Sequence, residues 1–220
     1  MKELTPKLMV PLPMVINVNS QKVGLSARIS HHKPAMTEAH RQARFEWSHA
    51  YENGQQNNGE EYFFQMKVLS HNFNKVIKER LGPIVSLKGS VTSQLHVKII
   101  NDYVVPTLYE YFPHGNGIFQ EDNAAPHHSK VATAARENAK IKTINWPAQS
   151  PDLNPIENLW AELKMMVHCR TPPPSSIKVL EKYVKESWKD IPLEYYKKLI
   201  DSMPQRIAAV IAANGNRINY

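Results

Sequence analysis

GNGIFQEDNAAPHHSKVATAARENAKIKTINWPAQSPDLNPIENLWAELK, residues 115–164, is the stretch whose reading decides the fold. GNGIFQ reads as a turn feeding a short buried strand that ends at Glu121-Asp122. HSKVATAARENAK is an alanine-rich helix, and IKTINW after it is a second short strand. A strand, a helix and another strand predict a right-handed parallel crossover. The next helix opens at Asn154-Pro155, where proline suits the first helical position because its missing N–H would be unsatisfied there. Ile156, Leu159, Trp160, Leu163, Met166 and Val167 then recur at helical spacing, a face expected to pack against the sheet.

Upstream, Pro83–Leu87 reads as a strand ended by Gly89. SQLHVKIINDYVV puts Leu95, Ile99, Tyr103 and Val104 on one helical face before Pro106 disturbs it. MTEAHRQARFEWSHAYE is a helix with Thr37 as N-cap. GQQNNGEE is a loop or junction, and EYFFQMKVLSHNFNKVI mixes strand and helix signals. Residues 8–18, LMVPLPMVINV, read as a buried strand or packing segment; eleven residues are too few for a bilayer, which needs about 20. Downstream, Thr171-Pro-Pro-Pro174 is a stiff linker, followed by two or three amphipathic helices broken at Pro192 and Pro204 and by the polar tail NGNRINY. The class is α/β with a helical C-terminus.

The chain of 220 residues is 42% hydrophobic and 21% charged, which fits a globular protein and argues against global disorder. Its formal charge of +7 suits a polyanionic partner. One cysteine, Cys169, excludes an internal disulfide framework and a Cys-rich zinc finger, and points to a reducing, intracellular setting.

Two acids stand out. Asp122 sits at the end of the buried strand, and Glu157 one turn into the later helix, with 34 residues between them. In a parallel crossover these positions can meet at one edge of the sheet, and a hard divalent cation would relieve their repulsion. Structural roles compete with that reading. Asn154 and Glu157 are spaced as a capping box, and Asp122-Asn123 is a common turn opener. His127 and His128 lack Cys partners or a second His at helical offset, so solvent or phosphate suits them better than a metal.

FQEDNAAPHHSKVA followed by INWPAQSPDLNPIENLWAELK resembles the DDE domain of Tc/mariner superfamily transposases, in its Tc-one-like branch. GLSARISHHKPAMTEAHRQARFEW, GPIVSLKGSVTSQ and SMPQRIAAVIAANG resemble further family segments. The resemblance implies an RNase H-like mixed sheet flanked by helices, incomplete at its first strands, and a DNA partner that is nicked and joined with Mg²⁺ or Mn²⁺. It implies Asp122 and Glu157 as second and third acids of a catalytic, metal-binding triad. It also implies a nuclear location, no membrane or small-molecule partner, and leaves a homo-oligomer open. On this reading residues 1–33 are a remnant of the region following a helix-turn-helix domain. Residues 34–170 are the DDE transposase/endonuclease domain, degenerate at 48–80, and residues 171–220 are a helical extension.

The first acid of the triad is expected on a strand soon after Trp47. No aspartate precedes Asp102, which lies within a later helix. Glu60 and Glu61 are the nearest substitutes. The sequence therefore predicts a transposase-derived chain that is inactive for want of its first ligand, with a non-catalytic nucleic-acid-binding module as the alternative.

Overall fold

The computed structural model describes residues 14–17, 36–52, 55–56, 60–61, 84–87, 90–113, 115, 117–122 and 124–220. Expectations for residues 62–83 and for most of 1–35 lie outside these. Six short strands are described: β1 (Met14–Asn17), β2 (Gln55–Gln56), β3 (Glu60–Glu61), β4 (Ile84–Leu87), β5 (Ile118–Phe119) and β6 (Lys142–Thr143). β1 pairs parallel with β4, Met14 opposite Ile84, so part of the 8–18 run is a strand as expected. β2 and β3 form an antiparallel ladder. β5 pairs parallel with β6, Ile118 opposite Lys142, and the Ile144 N–H donates to the Phe119 carbonyl at 3.2 Å.

The helices are α1 (Glu38–Tyr51), α2 (Ser93–Ile99), α3 (Val105–Tyr111), α4 (Lys130–Asn138), α5 (Pro155–His168), α6 (Ile177–Asp190), α7 (Leu193–Asp201) and α8 (Met203–Ala212). Local chemistry sets their starts. Thr37, Thr92, Ser129, Asn154 and Ser176 each accept a backbone N–H of the first turn through their side-chain oxygen. Pro106 does not break its helix. A π turn over Ile100–Val104 joins α2 to α3, and the Val105 N–H reaches back to the Ile100 carbonyl. The inserted residue also rotates the buried face, so Ile100 joins Ile99 and Val104 in the interior, whereas Leu95 and Tyr103 are only half-buried.

β5 is buried on both sides. Ile118 packs with Trp47, Tyr51, Trp146, Leu153, Ile207 and Val210 from α1, α8 and the loop after β6. Phe119 points the other way, toward Ile100, Val104 and Ala132. That alternation is what a strand sandwiched between two helical layers requires. Each fully buried Ile or Phe of this kind contributes about 1.5–3 kcal/mol.

α5 departs from expectation. Leu159, Leu163 and Val167 are buried, but chiefly against Val184, Trp188, Tyr196 and Leu199 of α6 and α7, with Ile84 of β4 packed on the margin. The two following helices offer a broader apolar surface than two-residue strands can, so the face turns toward them. Three helices follow the proline linker: Pro192 separates α6 from α7, and Pro204 sits in the first turn of α8. Among the described residues no helix is long and apolar enough to cross a membrane.

Candidate functional site

Where β5 ends, the chain turns one acid inward and the next outward. Glu121 is almost wholly buried and accepts from His96 Nε2 at 3.0 Å and from the Arg136 guanidinium. Arg136, inward on α4 in register with Ala132, also donates to the His127 carbonyl at 2.9 Å and to Thr133 Oγ1 at 3.2 Å. The His96 and His127 rings stack with centroids 4.2 Å apart. Asp122, with its side chain 65% exposed, pairs with His127 Nδ1 at 2.6 Å and accepts the Ala124 N–H at 3.1 Å. The His127 hydrogen bond holds the Asp122 carboxyl below the usual carboxylate range against the opposing effect of burial. For His127, burial disfavours the charged ring, but the Asp122 and Glu121 carboxylates outweigh it and raise its pKa.

Glu157 occupies the first turn of α5 and is exposed. A carboxylate there faces the positive end of the helix dipole. Asn154 caps the helix by accepting the Ile156 N–H at 3.3 Å, and the Glu157 N–H donates to the Asn154 carbonyl at 3.2 Å. The loop leading in is fixed from below. Arg44 of α1, fully buried, binds both Asp152 oxygens at 2.7 Å. The same guanidinium donates to the carbonyls of Gly215 at 2.9 Å and Asn216 at 3.1 Å. Arg206 of α8 donates to the Asp152 carbonyl at 2.8 Å and to Asn158 Oδ1 at 2.9 Å, and the Ile218 N–H reaches Asp152 Oδ2 at 2.9 Å. Trp146 packs edge-on against Trp47, with centroids 5.0 Å apart.

This stretch, strand end through capped helix, falls within residues 77–179, which match the DDE superfamily endonuclease family. The Tc3 transposase of Caenorhabditis elegans is 42% identical over 105 residues, covering 46% of this chain and 31% of that protein. The Tc1 transposase of the same species is 40% identical over 103 residues, covering 47% and 37%. Over residues 77–179 the chain matches a DDE domain of the Tc/mariner kind. Its matched stretch spans only about a third of the length of those two relatives. The catalytic domain of Mos1 transposase, solved with Mn, superimposes with a TM-score of 0.53 at 20% identity, covering 60% of this chain and 67% of that one. The Mos1 mariner paired-end complex with Mn gives 0.52 at 22%, covering 60% and 39%. The fold is thus the RNase H-like α/β fold expected from the sequence.

Within the DDE domain, Asp122 and Glu157 are positioned by separate frameworks. Bonds from its own loop fix Asp122, whereas α1, α8 and the segment after α8 fix the start of the Glu157 helix. Glu60 and Glu61, the substitutes for the first acid, lie in the β2–β3 ladder. Among the described residues no three His, Cys, Asp or Glu side chains are grouped to hold a metal ion. The neighbour bonded to Asp122 is an imidazole that its carboxylate makes more basic, not a second carboxylate. A two-ion site needs carboxylates bridging and anchoring both ions, and among the described residues that set is not assembled. Sequence reasoning missed Glu121, His96, Arg136, Arg44 and Asp152. Only Arg136 carries a local signal, standing four residues after Ala132 on the same helical face.

Proposed function

We propose that the chain is a Tc-type transposase derivative whose ancestral activity was metal-dependent DNA cleavage and strand transfer, and that it no longer cuts DNA efficiently. The observation that carries this reading is the ligand count. Asp122 and Glu157 stand in the family's sequence context, yet no aspartate precedes Asp102, so the first acid of the triad is missing. With two carboxylates the attacking and leaving oxygens would be poorly positioned. The chain belongs in the nucleus, with DNA as its partner. The test is nicking of supercoiled plasmid with Mn²⁺, comparing the chain with Asp122→Ala and Glu157→Ala. Equal background from all three proteins is the expected result. Nicking by the parent that both substitutions abolish would overturn the reading and direct attention to Glu60 and Glu61.

A second reading, a non-catalytic nucleic-acid-binding module, is favoured by the charge of +7. Duplex binding retained by Asp122→Ala, with no nicking by any variant, supports it. Terminal inverted repeats flanking the gene would instead mark the locus as a mobile element.

A further inference from the structure

Helix α6 exposes Lys178, Lys182, Lys185 and Lys189. Steps of four, three and four residues put all four within an arc of roughly 60° and along about 16 Å of helix axis. The opposite face is anchored: Val184 and Trp188 are buried against α5 and α7. Acids flank the stripe rather than interrupt it. Arg170 engages Glu186 at 3.6 Å and Asp190 at 3.2 Å, while Lys182 lies 3.8 Å from Glu186 and Glu181 is half-buried at the margin. Lys178/Lys182 and Lys185/Lys189 are like-charge pairs one turn apart, an arrangement that weakens a helix by itself. A polyanion lying along the stripe would relieve that repulsion.

We propose that this stripe is a sequence-independent docking surface for the phosphate backbone of duplex DNA, on a helix that bears neither Asp122 nor Glu157. The proposal rests on DNA as the partner of the preceding reading and adds where the duplex lies. Duplex is favoured over single strands because Tyr183 and Trp188 sit off the stripe and Trp188 is buried, leaving no aromatic platform for unstacked bases. An anionic membrane is disfavoured because the apolar face of α6 is packed against α5 and α7 rather than open to a lipid surface.

The experiment is fluorescence anisotropy of a labelled duplex of arbitrary sequence, titrated with the full chain across a range of KCl concentrations. Each lysine–phosphate contact adds about 0.9 to the slope of log affinity against log salt. The variant K178Q/K182Q/K185Q/K189Q should lose about 3.6 from that slope, so between about 50 and 200 mM salt the parent's affinity should fall about 100-fold further than the variant's. The matching lysine-to-arginine variant should keep both slope and affinity, which separates loss of charge from loss of fold. K130Q/K140Q/K142Q, which removes exposed lysines elsewhere, should change the slope by less than about 1. An unchanged slope in the α6 glutamine variant, or an equal loss in the other lysine variant, overturns the stripe while leaving DNA as partner. A parent chain that binds no duplex overturns both.

Discussion

The strand end that bears Asp122 and the loop that launches Glu157 are each held by a buried arginine–carboxylate pair, yet the two holds differ in reach and chemistry. Glu121, His96 and Arg136 come from β5 and the helices flanking it, and two histidine rings stack within the group. Asp152 is gripped by Arg44 and Arg206, from α1 and α8, with backbone from residues 215–218 closing the ring. The first hold adjoins His127, whose pKa the neighbouring carboxylates raise. The second relies on guanidinium, which keeps its charge at any ordinary pH. Asp122 therefore sits on a local support that pH can tune, and Glu157 on a long-range one that acid alone can weaken.

The largest expected effect lies in the long-range hold. Arg44→Ala leaves a largely buried carboxylate without its partner and removes a donor from the carbonyls of Gln149, Gly215 and Asn216, so unfolding free energy should fall by about 3–5 kcal/mol in urea titrations. Arg44→Lys should recover little of it, because an ammonium cannot reproduce the two-pronged grip on Asp152. Full recovery by lysine would show that net charge, not geometry, is what the site requires.

Glu121→Gln tests the local hold. The amide keeps some hydrogen bonding but loses the charge facing Arg136 and His96, so a smaller drop of about 1–3 kcal/mol is expected by the same titration. A loss equal to that of Arg44→Ala would erase the distinction between the two regions.

Gly215→Ala probes the closing segment alone. Gly215 has φ +82°, and a Cβ there would stand 2.0 Å from the Arg41 carbonyl oxygen. A cost of about 1–3 kcal/mol should appear as a lowered Tm. An unaltered Tm would mean that the segment contributes nothing to the grip on Asp152.

The smallest effect is the most discriminating. His127 has its pKa raised on folding, so its contribution is complete below the ordinary imidazole value of about 6.5 and is lost as pH rises through the folded value. Asp122 and Asp152 are both lowered; their contributions hold above the ordinary carboxylate range and vanish as pH falls through the folded values. Stability plotted against pH should thus show a shallow alkaline decline that His127→Ala removes and Arg44→Ala leaves. An NMR titration placing the His127 midpoint at or below the ordinary value would refute the assignment.

Features carried by neighbouring residues were legible in the sequence. Thr37 before an amphipathic run, Asn154-Pro155 before another, and the strand–helix–strand order around α4 each announce themselves within a few residues. The acids Asp122 and Glu157 were singled out for a different reason, since the words around them resemble a family. Pro106 misled because its missing N–H can be absorbed by one π turn rather than by a break. The α5 face was recognised but not its partner, since periodicity says that a stripe is buried without saying against what. The two holds were invisible: Arg44 meets Asp152 across 108 residues and His96 meets Glu121 across 25, and no local pattern encodes either meeting.

The grip of Arg44 on the Gly215 carbonyl also sets a timetable. The two groups are separated by 171 positions, so on a ribosome adding 5–20 residues per second the arginine waits about 10–30 s for its acceptor to be made. During that interval α1 can form and β5 can meet β6, but Asp152 lacks the backbone donor of Ile218 and Arg44 lacks two of its carbonyls. The nascent chain therefore carries incompletely hydrogen-bonded interior groups until residues 215–218 emerge. A premature stop that removed this short stretch would leave Arg44 and Asp152 without these partners for good.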